Sequence, residues 1–136
     1  MNPSYPQSML AELPWSLAEP LPRSAIELLD ALKTYAERIN APFAPRELLK
    51  VFPDTRVDLR YEVAVPLPDG QVNRKHQVVR VSAEDRPLTY VEILFELHHA
   101  AQRDLAHQAH HYFEGLFLLP EPYEVGVAAY EVFVGS

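Results

Sequence analysis

The chain has 136 residues, of which 48% are hydrophobic and 23% are charged, and its formal net charge is −7. This composition predicts one globular domain with enough apolar side chains for a single core, and it excludes a disordered chain. Cysteine is absent, which excludes disulfides, thiolate zinc sites, iron–sulfur clusters and cysteine nucleophiles.

Negative charge is concentrated in the last third of the chain. Residues 87–136 hold one basic and seven acidic residues, a balance of −6, whereas residues 56–86 hold six basic and five acidic residues. A nucleic-acid-binding protein would carry a basic stripe instead, so nucleic acid is not an expected partner. Solubility alone explains the acidic excess, which also allows a basic protein partner.

No segment of the sequence predicts membrane insertion or secretion. The apolar runs are shorter than the roughly 18 residues of a membrane span. Residues 1–11 lack the basic region and long apolar run of a signal peptide. We therefore predict a cytoplasmic protein without a membrane partner.

Residues 1–22 are predicted to form a proline-rich arm, and residues 23–136 a single α+β domain. Five prolines interrupt regular structure in the arm, since each fixes φ and lacks a backbone donor. The arm also holds apolar side chains that would be poorly placed in water, among them Met9, Trp15 and Leu17. We expect it to pack on its own domain; the alternative is docking on a partner or a second copy.

The domain is predicted to begin with two helices. Ser24 and Glu27 have the spacing of a capping box, and an apolar stripe of helical period continues to Ile39. A short helix follows over residues 45–51, with proline at its first position.

A β-hairpin is predicted next. Residues 57–65 alternate apolar and polar side chains, which is typical of a half-buried strand. Residues 68–70 supply turn chemistry, and the return strand runs over residues 72–82. This hairpin is the most basic part of the chain; cross-strand salt bridges explain the cations, and an anion site is the alternative.

A long helix is predicted over residues 88–113, because Thr89 and Glu92 form a second capping box and Gly115 is placed to end the helix. Two strands then close the chain, over residues 116–119 and 123–134. Apolar residues on both faces of the last strand predict a central position in the sheet or a second buried face.

The order of these elements predicts the fold class. Two N-terminal helices precede a ββαββ unit, which forms a four-stranded, mostly antiparallel sheet with one long helix across a face.

Five of the six histidines fall within the predicted long helix. His98 lies on its apolar side and is predicted to be a neutral, hydrogen-bonded core residue. His107 and His111 are one turn apart, and Glu96 and His99 have the Glu-x-x-His spacing, so these four are candidate metal ligands. No cofactor is the main prediction, and Zn²⁺ or another divalent transition metal is the alternative. A solvated histidine face is the main interpretation of the cluster, and a pH-sensitive or partner-binding surface is a further alternative.

No catalytic motif is present, since the nucleophile elbow, the phosphate-binding glycine loop and the dinucleotide fingerprint are all missing. We therefore predict a non-enzymatic protein-interaction module, which self-associates as a homodimer or acts as an acidic inhibitor or immunity-type protein. The alternative is a metal-binding protein or metal-dependent enzyme. The candidate interaction residues are Trp15, His110, Tyr130, Val132 and Val134.

Overall fold

The computed structural model describes residues 5–106, 108 and 110–135. Within them the chain forms three helices and a six-stranded mixed sheet. The elements are β1 (Ser8–Met9), β2 (Trp15–Ser16), α1 (Ala25–Arg38), α2 (Pro45–Leu48), β3 (Arg56–Pro66), β4 (Val72–Ser82), α3 (Tyr90–Leu105), β5 (Tyr112–Leu118) and β6 (Ala129–Gly135). The predicted fold, with two helices first and a four-stranded, mostly antiparallel sheet, is therefore wrong.

The error lies in the arm and in one strand pair. The sheet order is β1-β5-β6-β3-β4, with β2 also paired to β5, so the arm supplies two strands before the first helix. β6 runs parallel to β3 from Asp58↔Ala129 to Arg60↔Glu131, whereas the other pairs are antiparallel. β6 is central, as the apolar residues on both its faces predicted.

The hairpin of β3 and β4 is confirmed. The two strands pair without a register shift from Arg56↔Ser82 to Pro66↔Val72. Gly70 closes the turn at a φ of +86°, a conformation that glycine adopts without steric cost, and its N–H donates to Leu67 O at 3.0 Å.

The capping box of α3 is confirmed, but the predicted end of the helix is wrong. Thr89 accepts from the Glu92 N–H, and the Glu92 carboxylate accepts from the Thr89 N–H. The Arg86 side chain, together with these bonds, lowers the pKa of Glu92 to about 2. α3 stops at Leu105, and β5 begins at Tyr112 instead of residue 116. Gly115 lies at a bulge in β5, not at a helix end.

The last strand is also shorter than predicted. β6 begins at Ala129, whereas the pattern predicted a strand from residue 123. Residues 124–127 form a tight turn instead, closed by the Val127 N–H donating to Glu124 O at 3.1 Å. Gly126 has a φ of +87° within this turn, so the extended backbone predicted from residue 123 is interrupted there.

The core lies between the helices and one face of the sheet. Leu59 on β3 and Leu94 on α3 are fully buried there. The arm closes one end of this core, because its apolar side chains are buried: Met9, Leu10, Leu13, Trp15 and Leu17. The opposite, outer face of the sheet carries charged side chains. Among them, Arg60 on β3 and Glu131 on β6 form a salt bridge, with Arg60 Nε 2.7 Å from Glu131 Oε2.

Candidate protein-interaction surface

β4 is the long strand at the edge of the sheet that leaves backbone groups available to a partner. It pairs with β3 on one side and ends the strand order on the other. Residues 72–78 are all exposed. The strand contains no proline and shows no bulge against β3, two devices by which edge strands commonly avoid pairing with other chains.

The backbone groups on this free edge belong to alternate residues of β4. In an antiparallel pair, directly opposed residues either bond each other or both turn their N–H and C=O groups away. Asp58 donates its N–H to Ala128 O at 2.9 Å, on the side away from β4. Arg80, which lies opposite Asp58, therefore turns its own N–H and C=O groups toward the free edge. Because the pattern repeats every second residue, the backbone groups of Val78 and Arg74 also face this edge.

The side chains of β4 give this edge a positive character. Its arginine and lysine residues are Arg74, Lys75 and Arg80, and the strand contains no carboxylate. Arg74 and Arg80 lie on the outer face, where they contact Glu62 and Asp58 across the hairpin at 2.7 and 2.8 Å. The cross-strand salt bridges expected from the sequence are therefore present.

Asp58 fixes the orientation of Arg80. Asp58 is 2% exposed as a residue, and its carboxylate accepts from the Arg80 Nε at 2.8 Å and from Nη2 at 3.1 Å. This two-point contact holds the guanidinium in one plane and raises the pKa of Arg80, mainly through the hydrogen bond itself. The remaining nitrogen, Nη1, points along the outer face toward Glu124.

Three of the five predicted interaction residues lie together. His110, Val132 and Val134 line a cleft of about 290 Å³ between β6 and the distal part of β3. The Gln108 side chain lies in this cleft, where it accepts from the Ala64 N–H at 3.1 Å and donates to Ala64 O at 3.2 Å. The pairing of β3 with β6 ends at Arg60, and the Gln108 side chain takes the place of a partner strand at Ala64.

Trp15 and Tyr130, the other two, are buried within the chain at 2% and 0% exposure. The Trp15 Nε1–H donates to His98 Nδ1 at 3.2 Å. His98 Nε2 donates to Glu19 O at 2.9 Å, so both ring nitrogens are bonded in the neutral form. Burial lowers the pKa of His98, and the predicted neutral core histidine is confirmed.

The candidate metal ligands are dispersed where the structure describes them. His99 Nε2 donates to Pro22 O at 2.9 Å, Glu96 is exposed, and His111 Nδ1 lies 3.0 Å from Ser16 Oγ on the arm. Among the described residues, no three histidine, aspartate or glutamate side chains form a metal-binding group. His107 lies outside the described residues, so the metal site stays a prediction.

Sequence reasoning did not single out Val78, on the free edge of β4, or Glu124, which contacts Arg80. The absence of proline and carboxylates over residues 72–82 was a visible signal. It becomes informative only once the sheet order places that strand at the edge.

Comparison with protein-family models, with curated proteins and with solved structures found no match to this chain. Within the described residues, every helix is too short or too polar to cross a membrane.

Proposed function

We propose that this protein is a protein-interaction module that accepts an extended, acidic segment of a partner along the free edge of β4. The observation that carries the proposal is the free edge itself, which pairs with no other strand of the described residues and is regular, exposed and free of proline. Added strands bind such edges through main-chain hydrogen bonds, and side chains at alternate positions select the partner.

Charge favours an acidic partner strand over a second copy of β4. Two β4 strands would bring six arginine and lysine side chains to one seam, while Glu62 and Asp58, which contact Arg74 and Arg80, lie on β3 outside that seam. In an antiparallel pair centred on Gln77, Arg74 of one copy would lie opposite Arg80 of the other, and like charges directly opposed are destabilising. A partner with carboxylates at alternate positions would carry them all on one face, where they would meet Arg74 and Arg80 of the outer face.

The net charge of −7 does not prevent an acidic strand from binding beside β4, because only nearby charges act strongly on it. Charges more than about 10 Å apart are largely screened at 0.1 M salt. The acidic excess of residues 87–136 therefore favours solubility, while the local cations of β4 determine what binds beside them. This assignment differs from the basic partner that the net charge alone suggested.

Val78→Pro tests the proposal without breaking the hairpin. The Val78 N–H points to the free edge, so proline removes a donor that β3 does not use. We expect a short capped peptide of alternating glutamate and valine to bind the native protein and to perturb the amide resonances of β4. Val78→Pro should weaken this binding about tenfold or more, because one main-chain bond is lost and the ring blocks the seam.

Val78→Thr is the matched control, since it keeps the N–H and the β-branched shape and should bind the peptide as the native chain does. A peptide with lysine in place of glutamate should not bind. Equal binding by the proline and threonine variants would refute edge pairing. Self-association of the native protein that Val78→Pro abolishes would instead identify a second copy as the occupant.

A further inference from the structure

Glu124 lies over the outer face of the sheet on the tight turn of residues 124–127. Val125, at the tip of this turn, is 93% exposed. The turn projects the Glu124 carboxylate between Arg56 at the start of β3 and Arg80 near the end of β4. One carboxylate from the chain therefore occupies a position between two guanidinium groups.

The contacts of Glu124 are looser than those of the neighbouring acidic residues. Its carboxylate lies 3.5 Å from Arg56 Nη1 and 3.4 Å from Arg80 Nη1. On the same face, Asp58 Oδ1 lies 2.8 Å from Arg80 Nε, and Glu131 Oε2 lies 2.7 Å from Arg60 Nε. Since charge-assisted bonds are normally about 2.7–2.9 Å long, Glu124 fills its position without tight bonds.

We propose that Arg56 and Arg80 form a binding site for an oxyanion, either the carboxylate of an acidic side chain or a phosphate group. Glu124 is its internal occupant, and an incoming oxyanion displaces it. Once Glu124 has left, four arginines of this face (56, 60, 74 and 80) remain against three carboxylates (58, 62 and 131), which leaves a local charge of +1.

The site is built in advance of binding. Asp58 is almost fully buried and holds Arg80 by two nitrogens, so Nη1 keeps its direction when Glu124 leaves. A guanidinium held in this way loses little side-chain freedom on binding. Arg56 and Glu124 are about half exposed, at 45% and 51%, so an oxyanion can reach the site from solvent.

This inference rests on the proposed function and specifies the partner further. A strand added to β4 would place one side chain opposite Arg80 on the outer face, since directly opposed residues share a face. An acidic or phosphorylated residue at that position would compete with Glu124. The β4 edge would then supply main-chain affinity, and the arginine pair would select the oxyanion.

Glu124→Gln tests the site by an increase in affinity, which a damaged fold cannot mimic. Inorganic phosphate and glutarate are titrated separately at constant ionic strength, with binding followed by the side-chain resonances of Arg56 and Arg80. We expect Glu124→Gln to bind at least one probe about two- to fivefold more tightly than the native protein, the range for removing an exposed competing ion pair. Glu121→Gln removes the same charge from the same loop and should leave the affinity unchanged.

Adding Arg56→Gln to Glu124→Gln should abolish the increase, and the melting temperatures of all variants should stay close to that of the native protein. Tighter binding of phosphate alone identifies a phosphorylated partner residue; tighter binding of glutarate identifies an acidic one. Equal affinities for Glu124→Gln and Glu121→Gln would overturn the inference. Val78→Pro should keep the anion response, so failure of edge pairing and failure of this site are distinguishable.

Discussion

His98 loses a hydrogen bond when it is protonated, so we predict that mild acid destabilises this protein. In the neutral ring Nδ1 accepts from Trp15 at 3.2 Å and Nε2 donates to Glu19 O at 2.9 Å. Protonation places a hydrogen on Nδ1 that faces the Trp15 N–H, and it leaves a charge on a side chain of 0% exposure. Burial is the main cause of the lowered pKa of His98, and the neighbouring His99 adds to it.

The sign of the effect follows from the direction of that pKa shift. The unfolded chain takes up this proton near the ordinary pKa of 6.5, whereas the folded chain takes it up only at lower pH. Stability is therefore complete above about pH 6.5 and falls as the pH drops toward the pKa of the folded state. The slope cannot exceed about 1.4 kcal/mol per pH unit for one group, so the loss by pH 5.5 is at most about 1.4 kcal/mol.

Urea unfolding at about pH 7.5 and about pH 5.5 measures this loss. Trp15 is the single tryptophan of the chain and contacts His98, so its fluorescence reports on the site. His98→Asn keeps a side-chain acceptor but cannot titrate in this range, and it should reduce the difference between the two pH values by up to about 1.4 kcal/mol. An identical pH difference in the native and Asn proteins would refute the assignment, whatever the absolute stability of the variant.

Three further substitutions test single contacts. Gly115→Ala places a methyl group 2.8 Å from the Ala11 Cα at a φ of +123°, and we expect a loss of about 1–3 kcal/mol in urea unfolding; an unchanged midpoint would contradict strain at the bulge. Tyr130→Phe removes the hydroxyl that donates to Pro6 O at 2.5 Å, so we expect a loss of about 1 kcal/mol and faster amide exchange in the arm. Slower or unchanged exchange would argue against an anchoring role. Thr89→Ala should cost about 1 kcal/mol of thermal stability by removing the α3 cap, whereas Thr89→Ser should restore it.

The features predicted correctly depend on residues that are close in sequence. The strand at residues 57–65 and the turn at Gly70 are encoded by alternation and by one glycine, and both are present. Thr89 and Glu92 bond each other within one helical turn. His98 could be placed in the core from its helical face alone, but its partner Trp15 lies 83 residues away, a distance at which no local pattern predicts a contact.

The end of α3 shows how a distant partner can override a local signal. Residues 106–113 contain no proline or glycine to stop a helix, so the pattern predicted that the helix continues. Tyr112 and Phe113 instead pair with β2 on one side and β6 on the other. Glycine adopts the positive φ that both a helix end and a β-bulge can require, so Gly115 alone does not distinguish the two; its φ at the bulge is +123°.

The strand order could not be read from the sequence at all. β1 and β2 have two residues each, and two residues contain no periodicity. The parallel contact of β3 with β6 joins residues more than half the chain apart, from Asp58↔Ala129 onward. The position of β4 at an edge follows from these pairings, so the candidate site could not be identified before the fold was known.

One edge of the sheet is covered by the arm and the other is not, and this difference supports the proposed role of β4. Along β5 the arm supplies β1 and β2, which cover the edge and bury Met9 and Trp15 against the core. Ordering such a segment costs conformational entropy at every residue, which proline partly reduces because its φ is already fixed in the unfolded chain. Along β4 the chain places no such cover within the described residues, and the strand carries Arg74, Lys75 and Arg80 instead. Cations repel another β4 but not an acidic strand, so we expect this edge to discriminate between partners, whereas a covered edge excludes all of them.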